Sequence, residues 1–375
     1  MRAVVLGVGR MGTAIAWAMD KLGFQVTGMD TNPDAANNIP FKVNNADGKT
    51  PRNDFFIVGG VEDIFAGLCA QKLPDVVISS LPYHQTEEVG SWCIDNAVRY
   101  CDLGGRVDVS NNINEMAINY AKKPVMTDLG LAPGLVNILA EEGYRRLYGS
   151  GEITSVEMMV GGLPDFSESA NNPLRYAVTW SVDGLINEYR DDCIVLEGGQ
   201  IKTVKGMEGL EVVDSELGDF EAFYTSGGAS HSILSMKERG VQNCHYKTLR
   251  YRGHRDIVRF LIRDCELSDD ALNKIFITGC GHANKDEVFI ISKVHKDEKA
   301  WAKEIRVKSD AQFSAMQKAT AFPISSVAAL MAEGTFDGKK DEHRDYYTYY
   351  TKNLSYSDIP FDKFSEKLST LGLDL

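Results

Sequence analysis

The opening of the chain narrows its fold more than any other stretch. An apolar run, Arg2-Ala-Val-Val-Leu6, enters a glycine-rich turn, Gly7-Val-Gly9-Arg-Met-Gly12, and an amphipathic run to Leu22 leaves it. Strand, tight turn and helix in that order place the amide end of a helix where a pyrophosphate can sit. Gly7 permits the turn, Gly9 lets the backbone approach a ligand, and Gly12 lets helix pack against strand. Met11, Ala14, Ile15, Ala18, Met19 and Leu22 fall at helical spacing, and Gly23 can end the helix. A second strand, Phe24 to Met29, ends at Asp30, 18 residues after Gly12. A carboxylate there accepts hydrogen bonds from both ribose hydroxyls of NAD and repels the extra phosphate of NADP. No Arg or Lys in Thr31-Asn32-Pro33 offsets that repulsion. The expected cofactor is therefore NAD, held by Gly7, Gly9, Arg10, Met11, Gly12, Asp30 and Thr31.

The rest of the first third continues the alternation. Asp75–Leu81 reads as a buried parallel strand ending at Pro82, and a helix follows around Glu87–Asn96. A short strand, Tyr100–Leu103, stops at Gly104-Gly105; helix Asn112–Lys122, strand Val125–Asp128 and helix Leu135–Leu147 come next. This is an α/β fold, a Rossmann doubly wound parallel sheet, in which ligands bind beyond the carboxyl ends of the strands. Three such ends supply further candidates: Ser80, Leu81 and Pro82; Asp102 and Gly104 toward the cofactor; and Asp128. The polar segment Asn44–Asp54 reads as a loop near the adenine end.

From about residue 151 the rhythm changes. Ile153–Leu163, Cys193–Glu197 with Gln200–Val204, Phe220–Thr225, Asn243–Tyr251, Glu287–Lys296 and Ala302–Ser309 read as strands with few crossovers between them. Glu197-Gly198-Gly199-Gln200 reads as a hairpin turn. Helices are expected at Arg255–Cys265 and Gln312–Glu333. The pattern implies a second α+β domain on a mainly antiparallel sheet. The expected division is a cofactor domain over 1–133, a substrate and dimerisation domain over 134–333, and a tail over 334–375 that packs on the body. At 375 residues the chain exceeds the size at which single cores stop growing, about 250–300 residues.

Bulk properties exclude several classes. A net charge of −13 argues against nucleic acid and anionic membranes as partners. No apolar run approaches the roughly 18 residues of a membrane span, and a first strand starting at residue 2 leaves no room for a signal peptide, so a cytoplasmic protein is expected. The seven cysteines are scattered without a CxxC pair, which fits reduced thiols and neither a disulfide frame nor a zinc site. Cys280-Gly-His282 offers two ligands without partners, too few to hold a metal. Lys122-Lys123-Pro124 matches a short Lys-Pro signature of sugar-type oxidoreductases, but the second domain lacks their pattern.

The second domain carries a resemblance. Asp128-Leu-Gly-Leu-Ala-Pro-Gly-Leu-Val-Asn137 resembles the D-x-G-x-x-P-G-x-x-N segment of the saccharopine dehydrogenase family. Val160–Pro164, Asn172–Tyr176, Thr179–Ser181 with Asp183–Ile186, Phe220–Phe223 with Thr225–Gly228, and Lys247–His254 continue the match in order. The resemblance spans residues 1 to about 330, and length and layout are most similar to the lysine 6-dehydrogenase branch. It implies oxidation of the ε-carbon of lysine by NAD, releasing ammonia and an aldehyde that cyclises. The Asn-Asn-Pro-Leu form also resembles true saccharopine dehydrogenases, which oxidise a secondary amine and release glutamate. A non-catalytic NAD-binding sensor is the reading from another class.

Such chemistry needs a base for the ammonium proton and a clamp for the substrate carboxylate. Tyr83, just after the fourth strand, matches a tyrosine to which a role in the chemistry of saccharopine dehydrogenases is assigned, with His84 beside it. Asp128 is the second catalytic candidate. For the clamp, Arg250 lies in the alternating strand Thr248-Leu-Arg-Tyr251, and its planar fork can grip a carboxylate through two hydrogen bonds. Thr248 shares its face, and His254, His231 and Tyr176 are further substrate-binding candidates, with Trp180 as a wall and Arg175 the next basic residue in line. The expected partners are a small amino-acid substrate and a second copy of the chain, the dimer covering the edge that Glu287–Lys296 would otherwise expose.

Overall fold

The computed structural model describes residues 1–38, 54–69, 73–149, 152–170, 172–283, 285–337 and 352–375. Alternation of short apolar strands with amphipathic helices builds the first third. The elements are β1 (Arg2–Leu6), α1 (Arg10–Lys21), β2 (Gln25–Asp30), β3 (Asp54–Ile57), α2 (Val61–Cys69), β4 (Val76–Ser79), α3 (Tyr83–Asp95), β5 (Arg99–Asp102), α4 (Val107–Tyr120) and β6 (Val125–Met126). Then follow α5 (Leu135–Leu147), β7 (Ser155–Pro164), α6 (Phe166–Ala170), α7 (Val182–Arg190), β8 (Asp192–Glu197), β9 (Gln200–Lys205), β10 (Glu211–Ser215) and β11 (Gly218–Tyr224). The chain continues through α8 (Ser232–Glu238), β12 (Asn243–Tyr251), α9 (His254–Arg259), α10 (Asp269–Ile275), β13 (Asp286–Lys296) and β14 (Lys299–Lys308). It closes with α11 (Ala315–Ala332) and α12 (Phe361–Thr370).

Two units emerge: Met1–Gly130 together with Thr320–Leu375, and Leu131–Ala319. The division differs from the one read in the sequence. A single apolar helix over 312–333 gave no internal mark of a boundary, yet α11 changes allegiance at Thr320. Within the first unit Phe322 of α11 stacks on Trp17 of α1 at 5.7 Å. The end of the chain belongs there as well. Val125 donates its amide to Lys352 O and accepts from Leu354 N (both 2.8 Å), so the tail adds a parallel bridge beside β6. Residues 338–351 of the tail and residues 44–53 of the loop expected over Asn44–Asp54 lie outside the described residues, and Asp54 opens β3.

The first unit is a parallel sheet in the order β3-β2-β1-β4-β5-β6. Val76, Val77 and Ile78 are fully buried, as strands covered on both faces must be. Lys123, of the Lys-Pro lookalike, pairs with Asp337, which Arg99 also holds. The second unit carries a sheet in the order β10-β11-β12-β7-β13-β14, with β8 against β12 and β9. Every pair is antiparallel except β12 with β7. The hairpin between β8 and β9 turns through Gly198 and Gly199, both at positive φ, as a two-residue turn requires.

The edge-strand expectation needs correcting. β13 is interior, paired along its length with β7 on one side and β14 on the other. The outer strand is β14, and no described strand pairs with its far edge. Lys299, Lys303, Glu304, Arg306 and Lys308 charge that strand, which is how proteins discourage pairing at an edge. The strand on which the dimer expectation rested is therefore already covered within the chain. Among the described residues no helix is long and apolar enough to cross a membrane.

Candidate active site

The glycine turn has the geometry that its sequence implies. A Cβ on Gly12 would lie 1.7 Å from Gly7 O, and one on Gly7 would lie 2.8 Å from Ser80 O and 3.2 Å from a Leu81 methyl. Glycine at both positions is thus what lets β1, α1 and the end of β4 meet. Gly9 differs, because a Cβ there meets no atom of the described residues within 4 Å, leaving the backbone of the turn open to a ligand. Gly9 caps α1, so the amides of Arg10, Met11 and Gly12 begin the helix with no carbonyl a turn earlier to bond, as anion-binding helix ends do. Thr13 Oγ1 donates to Gly9 O (2.7 Å) and Val8 O (3.0 Å), fixing the turn from below. Asp30 closes the same corner: one carboxylate oxygen accepts from Val8 N (2.6 Å), the other from Asn32 N (2.8 Å). Thr31 beyond it is exposed. Donors at a helix start, an uncrowded Gly9 and an acid at the second strand end together fit a dinucleotide.

A second cluster forms at the neighbouring strand ends of the same unit. Asp102, the last residue of β5, accepts on one oxygen from Gly104 N (2.8 Å) and Asp128 N (3.2 Å). Burial, with the Asp128 carboxylate beside it, pushes Asp102 up to about 7, against the pull of those amides. Asp102 thus props two backbones through Oδ1, while its Oδ2 is buried with no hydrogen-bond partner among the described residues. Asp128 sits beyond β6 at φ 61°, its carboxylate accepting from Ser110 Oγ (2.7 Å) and its carbonyl from the Tyr356 hydroxyl (2.8 Å). A left-handed aspartate is strained, and three contacts hold it there. Tyr83 opens α3 rather than lying on a loop, because Pro82 serves as the helix cap. Its ring is 45% exposed, with the Arg106 guanidinium 5.6 Å from its centroid and His84 edge-on.

The second unit holds a buried polar cluster around Arg250, which is 2% exposed. Its Nε donates to the Tyr189 hydroxyl (2.8 Å) and Nη1 to Leu249 O (2.9 Å). The guanidinium lies 5.1 Å from the Tyr176 ring centroid and 5.7 Å from that of Tyr189. His254 Nδ1 is 2.7 Å from Leu174 O, an acceptor only, so that nitrogen carries the proton. Nε2 then accepts from the Tyr189 hydroxyl at 3.0 Å. A directed relay results, from Arg250 to Tyr189 to His254 to a backbone carbonyl. Burial, aided by the Arg250 charge, pushes His254 down to about 3, so the ring is neutral. Both its nitrogens are taken, which makes His254 a positioning residue for Arg250 and corrects its assignment to the substrate.

Thr248, on the Arg250 face of β12, shares a 2.7 Å hydrogen bond with Thr225, and Tyr246 lies 3.5 Å from the same hydroxyl. Glu188, half-buried on α7, joins this group; burial raises it to about 7 while Arg250 pulls it down. Arg175 is exposed, donating to Arg252 O (3.0 Å), and Trp180 packs over α7 at Gly184. His231 caps α8 beside Ser230 (3.1 Å). Asn137, the last residue of the D-x-G-x-x-P-G-x-x-N segment, bonds that same loop through Ala229 O (3.0 Å) and Ser232 Oγ (2.9 Å). Glu188, Tyr189 and Thr225 are site residues that the sequence reading passed over. Val182, Leu185, Ile186 and Tyr189 fall at helical spacing, and a tyrosine on such a buried stripe is the signal that could have found α7's role.

The family model for the saccharopine dehydrogenase NADP binding domain matches residues 3–129, and that for the saccharopine dehydrogenase C-terminal domain matches 130–352. Rat mitochondrial alpha-aminoadipic semialdehyde synthase is 30% identical over 204 residues, 52% of this chain and 21% of that protein. The L-glutamate-forming, NADP(+) saccharopine dehydrogenase of Saccharomyces cerevisiae is 26% identical over 216 residues, 54% of this chain and 46% of that one. The match thus spans less than half the length of these relatives. An apo structure of L-Glu forming saccharopine dehydrogenase from S. cerevisiae superposes with a TM-score of 0.71 at 16% identity, over 98% of this chain and 97% of that one, and shares its fold.

Proposed function

The chain belongs to the saccharopine dehydrogenase family, and from that premise we propose that it is a nicotinamide-dependent oxidoreductase acting on the carbon beside an amino nitrogen, with lysine as the amine oxidised. The observation that carries the substrate class is Arg250: a buried guanidinium held by Tyr189 and, through it, His254, with no carboxylate among the described residues paired to it. An arginine prepared in this way suits a carboxylate ligand. Lysine offers one carboxylate and the pocket one arginine, which favours lysine. The names of the curated relatives favour saccharopine, which keeps it as the second reading.

The bound nicotinamide would supply the hydride acceptor. Gly9 would admit the dinucleotide's pyrophosphate to the amides of α1 in a turn that Gly7 and Gly12 shape, and Asp30 would take the ribose hydroxyls, which favours NAD over NADP. Arg250 fixes the amino-acid head, and Thr248 and Tyr176 line its surroundings. Asp128, pinned by Ser110 and Tyr356, is the group we assign to take the ammonium proton, with Tyr83 beside the same strand ends. Oxidation of lysine consumes water and yields a semialdehyde, ammonia and reduced cofactor; oxidation of saccharopine yields the same aldehyde with glutamate instead. Incubation with NAD and each amine, assayed for reduced cofactor, ammonia and glutamate, tests the proposal. Ammonia from lysine is the expected result. Glutamate from saccharopine would establish the second reading, and no cofactor reduction with either would identify a silent sensor.

A further inference from the structure

A cavity of about 430 Å³ lies within the second unit, where β7 and β12 end and β11 and β13 begin. That is the size of a small-ligand site, and neither Arg250 nor its partners Tyr189 and His254 line it. Four aromatic rings do. Phe220 packs on Phe289 with centroids 4.8 Å apart and stacks on Tyr251 at 6.1 Å, and Phe166 meets Tyr251 edge-on at 5.2 Å. The Tyr251 hydroxyl donates to Pro164 O (3.0 Å), which leaves its ring as what it can offer a ligand. Phe166, although it lines the cavity, is 65% exposed. Three arginines and three carboxylates complete the lining. Arg306 holds Glu287 through Nε (3.0 Å) and Nη2 (2.8 Å), and Arg252 pairs with Asp219 at 2.5 Å. Asp165 accepts from Ser167 N (3.0 Å) and Oγ (2.7 Å). Arg175 is left over: Nη1 donates to Arg252 O (3.0 Å), and no carboxylate among the described residues pairs with it.

Arg175 also has a backbone unsuited to its side chain. Its φ of 50° lies in the left-handed region, where glycine is unstrained and a long side chain is not. Its guanidinium rests against Gly253, where a Cβ would stand 3.4 Å from Nε. A strained residue that keeps an unpaired guanidinium at a cavity is accounted for by a ligand that uses it. We infer that this cavity is a second ligand site, separate from the Arg250 cluster, for an aromatic carboxylate whose ring lies on Phe166 and Tyr251 and whose charge lies on Arg175. The lining selects that class. A guanidinium carries five N–H donors, and the described residues engage one of those on Arg175. With Arg252 and Arg306 already paired, one open cation suits a single negative charge, and its planar fork suits a carboxylate. Asp165, Asp219 and Glu287 would repel a second charge. The rings favour a flat body that can stack on them or meet them edge-on over an alkyl chain.

Calorimetric titration of the full chain with three probes separates ring from charge. 3-Phenylpropionate carries both, hexanoate carries the carboxylate without a ring, and 3-phenylpropylamine carries the ring with the opposite charge. The wild type should bind 3-phenylpropionate roughly tenfold or more tightly than either of the others. Arg175→Gly removes the guanidinium and suits the left-handed backbone, so it should abolish that preference and melt no lower than the wild type. Phe166→Ser should weaken 3-phenylpropionate several-fold and leave hexanoate unchanged. Equal binding of the amine or of hexanoate by the wild type would overturn the inference. So would loss of 3-phenylpropionate binding in Arg250→Lys with none in Arg175→Gly, since the ligand would then have entered the cluster already described. A second copy of the chain seated over Phe166 would also overturn it, and would show as a wild type that binds no probe and a smaller species in sedimentation of Phe166→Ser.

Discussion

The glycine turn of the first unit and the guanidinium pocket of the second differ in what they are made of. The turn is backbone: three glycines and the amides that follow them, all within one short stretch of chain. The pocket is side chains, gathered from the segment at Tyr176, from α7, from the end of β11 and from β12 to His254. A backbone site is specified by the side chains it lacks, which a sequence displays directly. A side-chain site is specified by which strands become neighbours, which no local pattern states.

The sharpest test of that contrast compares two glycines of one turn. Gly12→Ala drives a Cβ into Gly7 O at 1.7 Å, and a carbonyl cannot move aside as a flexible side chain could. We expect a loss of about 3 kcal/mol or more in stability of the first unit, with dinucleotide binding reduced in step. Gly9→Ala meets no atom of the described residues within 4 Å and should melt like the wild type while binding the dinucleotide poorly. Thermal melts with and without cofactor decide the matter. Equal destabilisation by both changes would break the claim that Gly9 serves a ligand and Gly12 the fold.

The pocket is tested through its relay. Tyr189→Phe removes the hydroxyl between Arg250 Nε and His254 Nε2, leaving two buried polar groups without partners. A cost of about 1–3 kcal/mol follows, together with a higher KM for the amino acid as Arg250 loosens. The pH dependence has a definite sign. His254 binds its proton near 3 in the folded chain and near 6.5 when unfolded, so the unfolded state holds more protons between those values. The stabilising contribution is complete above 6.5 and disappears as pH falls toward 3. Denaturant melts from pH 7 to pH 4 should show a shallower decline in His254→Gln than in the wild type.

How much was legible follows the same division. Helix Leu135–Leu147, strand Asn243–Tyr251 and the Gly198-Gly199 turn emerge within the bounds that apolar spacing and turn chemistry set. The corner that joins Gly7, Gly12 and Asp30 was equally plain. Arg250 stood out because a charge inside an alternating apolar strand demands a reason. His254 misled, since adjacency to that strand says nothing about a ring whose nitrogens both face inward to Tyr189 and Leu174. Asp102 is less legible: a strand-end acid can reach a ligand or the next strand's amide, and here one of its oxygens reaches Asp128 N. The interior place of β13 and the return of the chain at Thr320 are tertiary choices, written in no single segment.

The smallest expected effect concerns Asp30, and it bears on which dinucleotide the chain takes. One of its oxygens receives Val8 N at 2.6 Å, so the carboxylate is turned toward the phosphate-binding turn and braced there. In that position it can accept ribose hydroxyls and must repel a 2′-phosphate, and Thr31-Asn32-Pro33 provides no cation to soften the repulsion. The family model for this region carries the name of an NADP binding domain, and Saccharomyces cerevisiae saccharopine dehydrogenase is named for NADP(+). A preference for NAD would therefore be a property of this chain's own residues. Asp30→Ala should weaken NAD by about 1–2 kcal/mol, since hydrogen bonds to a half-exposed charge are worth less than buried ones. The same change should improve NADP by removing a repulsion, so the two affinities converge from opposite directions. Fluorescence titration of both cofactors against both proteins measures this directly. A wild type that favours NADP would mean that a basic side chain elsewhere neutralises the phosphate and that Asp30 braces the turn alone, in which case Asp30→Ala would weaken both cofactors together.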